Sequence, residues 1–162
     1  MAALTHFDSI QALRKEYEFT QELRYSNFIY SRSSSWDMTH KGFTGSSKEI
    51  SLETEESMYL SRGSCLASPE ISIVAVNRIA MGTGLPFSSL KPLRLYVPRS
   101  LFLEADAIYV GDVRFLEIPD SIIIISRQMV FCRTGREEPE TFEIFNNWID
   151  RDRTDVEEVF IS

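Results

Sequence analysis

Apolar residues are densest between Ala107 and Arg133, AIYVGDVRFLEIPDSIIIISRQMVFCR, where short hydrophobic runs are punctuated by turn-forming residues. Gly111-Asp112 stands between two such runs, and a Gly-X pair suits the first central position of a type II′ hairpin. That register faces Val110 with Val113, Ile108 with Phe115, and Tyr109 with Arg114. Pro119-Asp120 ends the second strand, because proline donates nothing to a ladder. Ile122 to Ile125 then place branched side chains on both faces, the pattern of a strand covered on each side.

Elsewhere the periodicity is mixed. Asp8 to Gln11 reads as a capping box, and Ile10, Leu13 and Tyr17 share one face of a helix that ends near Arg24. Asn27 to Arg32 favours a short strand. Ser33 to Ser47, rich in Ser, Gly and Thr, shows no period and reads as a long loop carrying Trp36, His40 and Phe43; loops of that length are often functional. Glu49 to Arg62 predicts a strand followed by a short helix closed by Gly63. Glu70 to Met81 predicts one buried strand and Leu93 to Val97 another, with Ser100 to Ala105 as a helical turn or connection. Pro139 to Ile149 predicts a second helix, and Val156 to Ile161 a closing strand or tail. No internal repeat stands out.

The fold class expected from this is α+β: a mainly antiparallel sheet centred on residues 107–133, with helices near both termini packed on it. A β-sandwich with peripheral helices is the competing architecture. A length of 162 residues suits one globular domain spanning 1–162.

Charge changes the picture more than composition does. The net charge of −7 argues against nucleic acid and anionic membranes as partners. Its distribution is uneven. Between Glu70 and Glu104 the only charged residues are Arg78, Lys91, Arg94 and Arg99, whereas residues 134–158 carry nine carboxylates, Glu137 and Glu138 among them, against three arginines. Such segregation steers a charged protein partner or a second copy into register.

Chemistry is sparse. Two cysteines, Cys65 and Cys132, form no disulfide framework and lack metal-ligand spacing. The two histidines, His6 and His40, have no motif partner, so no metal and no cofactor are expected. Ser88-Ser89-Leu90-Lys91 fits S-x-x-K, but the companion motifs are absent and prolines bracket it. Cys65 has no neighbouring base, and Gly82-Thr83-Gly84 lacks the context of a phosphate loop. No secretory signal or membrane-length apolar run is visible, so the chain is expected to be soluble and cytoplasmic.

The function expected is a non-catalytic protein-binding or assembly domain, of the kind found among viral or phage accessory proteins and immunity-type inhibitors. Its contact residues would be Trp36, Phe43, Arg78, Lys91, Arg94, Arg99, Glu137 and Glu138. A small hydrolase or transferase using the 33–47 loop is the alternative.

Overall fold

In the computed structural model, which describes residues 5–20, 22–33, 38–40, 42–83, 91–133 and 139–160, strands dominate and every strand pair is parallel. The chain opens with α1 (His6–Glu16), followed by β1 (Leu23–Ser33), β2 (Met38–His40), β3 (Phe43–Thr54) and β4 (Ser57–Ser61). Then come three shorter sets: β5 (Cys65–Ala67), β6 (Glu70–Ala75) and β7 (Arg78–Thr83); β8 (Leu93–Tyr96), β9 (Ser100–Glu104) and β10 (Ala107–Val110); β11 (Val113–Phe115), β12 (Ser121–Ile125) and β13 (Gln128–Arg133). Finally α2 (Pro139–Asn147) leads to β14 (Asp155–Phe160).

Each set is one turn of a solenoid. Its members do not pair with one another; each lies on its counterpart in the preceding turn. Three faces result. The first stacks β5, β8 and β11 on the start of β3; the second stacks β6, β9 and β12 on the end of β3; the third runs β2, β4, β7, β10, β13, β14. Because the long β3 serves both the first and second faces, those two form one curled eight-stranded sheet, and the third is a separate six-stranded sheet. β1 covers the free edge of β3 along nearly its whole length, with a register shift between Ser26 and Phe28.

The core is a set of aliphatic ladders, one side chain per turn. On the second face Ile29, Ile50, Ile71, Leu101 and Ile122 stand in register; on the third, Met58, Ile79, Ile108, Met129 and Val156 do. The inner members of β3 to β13 are almost wholly buried, each worth about 1.5–3 kcal/mol relative to exposure. At the last turn α2 closes the core: Phe145 packs at 5.2 Å from Phe115, and Phe142 at 4.9 Å from Phe131.

The antiparallel α+β expectation is therefore overturned, and so is the sandwich, since no described pair is antiparallel. The Gly111-Asp112 step shows why. A type II′ turn needs a positive φ at Gly111, yet the positive-φ glycines are Gly42, Gly63 and Gly82. Gly111 is instead a corner glycine whose N–H donates to Met81 O at 2.8 Å, one turn earlier. A Cβ there would lie 2.6 Å from Gly82 O, so small size is what the position requires. Gly82 needs both properties: its φ is +67°, and a Cβ would sit 2.2 Å from Asp112 O.

Other expectations shift for the same reason. Ile122 to Ile125 are not covered on both faces: Ile122 is buried, whereas Ile123 and Ile125 are 53% and 49% exposed, because a solenoid strand has one inner side. Glu70 to Met81 is two strands bent at Val76-Asn77, and Ser100 to Ala105 is strand rather than helix. Glu49 to Arg62 contains no helix, since Leu52, Met58 and Leu60 alternate inward. Within the expected 33–47 loop, β2 and the start of β3 are extended; residues 34–37 and 41 lie outside the described residues. α1 is capped by Thr5 with Asp8, one turn earlier than Asp8-Gln11, and ends at Glu16.

The repeat overlooked in the sequence is also explained. Pro69, Pro98 and Pro119 occupy the same corner, between first and second faces, in successive turns. Arg99 N–H donates to Pro69 O and Asp120 N–H to Pro98 O. The spacing between these prolines is unequal, because nine residues separate β7 from β8 and two separate β10 from β11.

A basic cleft beside the first face

The outward side of the first face carries two columns of side chains. Phe43, Cys65, Arg94 and Arg114 form one, and Gly45, Ala67 and Tyr96 the other. Small residues at Gly45 and Ala67 let a helix approach closely. Ile10, Leu13 and Tyr17 of α1 pack there with Phe43, Cys65 and Tyr96 as a second core, and Tyr17 lies 5.7 Å from the Phe43 ring.

Arg94 stands where α1 ends. Its Nη1 donates to Glu16 Oε2 at 2.7 Å and lies 3.5 Å from Tyr17 Oη. Partial burial works against the Arg94 charge, but the bonds to Glu16 and Tyr17 outweigh it and hold the guanidinium above its usual range. Burial likewise pushes Tyr17 upward and the Cys65 thiol up to about 12, an effect that nearby Arg94 only partly offsets. At neutral pH Cys65 is a protonated, buried thiol, the opposite of an activated nucleophile.

Next to this pair opens a cleft of about 550 Å³ lined by Glu16, Tyr17, Lys91, Pro92, Arg94 and Arg114. Arg94 and Arg114 are direct ladder partners, so their backbones are one inter-strand spacing, about 4.8 Å, apart. Lys91 and Arg114 are exposed. Three cations thus converge on a cleft whose lining, among the described residues, contains one carboxylate, Glu16, already bound to Arg94. The site can hold an anion by charge and by paired N–H donors. Among the described residues no group of three or more His, Cys, Asp or Glu is placed to hold a metal ion, and no helix is long and apolar enough to cross a membrane.

Of the contact residues expected from sequence, the fold brings together Lys91 and Arg94. Arg78 lies on the third face with its guanidinium 4.4 Å from the centre of the Tyr109 ring, and Arg99 is exposed at the corner between the first and second faces. Phe43 is buried beneath α1, 1% exposed, and presents nothing to solvent. Trp36, Glu137 and Glu138 lie outside the described residues, as does Ser88. The acidic C-terminal stretch is partly neutralised internally, Glu158 by Arg133 at 3.1 Å and Asp150 by Arg153 at 3.6 Å.

Arg114 was missed. The signal for it is the repeated triplet Leu93-Arg94-Leu95 and Val113-Arg114-Phe115, each followed by a corner proline. Read as successive turns, those triplets put both arginines in one column.

No protein-family model, curated protein or solved structure matches this chain.

Proposed function

We propose that the chain is a non-catalytic protein-binding or assembly domain, and that its basic cleft receives carboxylate groups of a partner. One observation carries this reading: Arg94 and Arg114 are in register on neighbouring strands, with Lys91 beside them and, among the described residues, Glu16 the one opposing carboxylate. Like charges directly across a ladder disfavour the fold. An external carboxylate relieves that repulsion and gains charge-assisted hydrogen bonds. The uneven charge of the sequence supports the same reading.

An oligoglutamate peptide titrated at low ionic strength tests it. Binding should be measurable, should weaken with added salt over the range where screening sets in, and should be lost in Lys91→Glu/Arg114→Glu. Arg99→Glu tests whether the contact extends round the corner. Equal affinity of the wild type and the double variant for oligoglutamate would sink the reading.

A further inference from the structure

The second face differs from the first in being bare. No helix covers it among the described residues, and four of the exposed large hydrophobic side chains, Phe28, Tyr30, Ile123 and Ile125, project from it. Its outward charges are Glu49, Glu53, Glu70 and Glu104, with Arg32 the one cation in those columns. Arg32 is engaged by Glu53 at 3.7 Å. Glu49 and Glu70 are direct ladder partners, a second like-charge rung of opposite sign to Arg94–Arg114. Tyr30 Oη donates to Glu49 at 3.2 Å, which orients that carboxylate without neutralising it.

We propose that the second face is the docking surface for a second copy of this chain, whose basic cleft seats on Glu49 and Glu70. The proposal rests on the reading of the cleft given above and names one partner for it. Charge complementarity is its first support: three cations with one internal carboxylate meet a face of glutamates. Geometry is the second. Both like-charge pairs are spaced by the same repeat, about 4.8 Å per turn, because both belong to one solenoid. Two copies lying with their axes aligned therefore bring Arg94 and Arg114 opposite two carboxylates with no mismatch of spacing. The exposed Phe28 and Tyr30, stacked at 6.0 Å, flank the acidic pair and supply apolar area around it. Arg94 and Arg114 lie two turns further along the solenoid than Glu49 and Glu70, so copies with parallel axes are offset along them and the contact is head-to-tail rather than two-fold.

Light scattering on the full chain with two charge-reversed variants tests this. Wild type should self-associate at low salt and dissociate as salt rises. Glu49→Lys/Glu70→Lys and Lys91→Glu/Arg114→Glu should each weaken association at least tenfold while keeping the wild-type circular dichroism. Mixing the two variants should restore association, because the intact cleft of one meets the intact face of the other and the two reversed surfaces are again opposite in charge. A wild type that stays monomeric at low salt and high concentration overturns the proposal, as does association that neither variant changes. Oligoglutamate binding by the wild type separates the two readings. If wild type stays monomeric yet binds the peptide through Lys91 and Arg114, only the second-copy proposal has failed; if it does neither, the cleft reading has failed with it.

Discussion

The first and second faces are built from the same strand repeat, yet among the described residues a helix covers one and none covers the other. On the first, the outward columns pass through Gly45 and Ala67, and α1 fills the space above them with Ile10, Leu13 and Tyr17. On the second, the outward columns carry glutamates, serines and exposed hydrophobics, and no helix lies over them among the described residues. The lesson is that covering depends on the outward column, not on the inward ladder. The inward ladders are apolar on both, Leu66, Leu95 and Phe115 on the first and Ile50, Ile71, Leu101 and Ile122 on the second. The cleft lies where the cover stops: α1 ends at Glu16, and the basic column continues for another turn to Arg114.

The sharpest way to break the contrast is to remove the cover. Ile10→Ala, at a fully buried position, should lower stability by about 2–5 kcal/mol in urea unfolding. It should also raise the rate of Cys65 alkylation, since the thiol lies under the helix. The pH dependence of stability probes the same contact. Burial holds the Cys65 thiol at about 12 rather than the ordinary 9.0. Between those values the unfolded chain loses the proton first, so it binds fewer protons than the native state and stability falls as pH rises. The contribution is intact below about pH 9 and gone above about pH 12. Cys65→Ala should flatten that part of the alkaline fall in chemical-denaturation curves, with neighbouring tyrosines left as the background.

A smaller effect should come from filling the seat. A Cβ on Gly45 would lie 2.6 Å from the Phe43 ring, and that ring is held by Tyr17. Gly45→Val should cost about 1–3 kcal/mol through overpacking, read from the thermal transition, and should loosen α1 before the ladders. Smallest of all are changes on the bare face. Phe28→Ser and Tyr30→Ser, both more than half exposed, should leave monomer stability within about 0.5 kcal/mol. A large loss at either position would show that the second face is covered after all.

Several features were legible in the residues. The helix face of Ile10, Leu13 and Tyr17 and the extended character of Leu93 to Tyr96 and Ile122 to Ile125 follow from local pattern, whereas the inward alternation of Leu52, Met58 and Leu60 was hidden by a competing helical period. Two of the three cations that line the cleft, Lys91 and Arg94, were legible as charges within a run free of carboxylates. Arg114 was not, because assigning it to a hairpin opposite Tyr109 sent it to the wrong column. Phe43 looked like a contact residue because its neighbours are Gly, Thr and Ser; its burial comes from α1, more than twenty residues earlier in the chain.

What the sequence alone determined is the extended character of stretches such as Leu93 to Tyr96 and Ile122 to Ile125 and the apolar face of α1, since strand and helix periods are properties of a single element. Tertiary structure decided which strand lies beside which. A Gly-Asp step between apolar runs is compatible with a hairpin and with a solenoid corner, because both reverse or bend the chain in two residues. Only the stacking of Gly111 against Gly82, a contact between residues one full turn apart, selects the corner. The same non-local pairing makes Arg94 and Arg114 neighbours and Glu49 and Glu70 neighbours, so the electrostatics of this molecule is a consequence of its stacking.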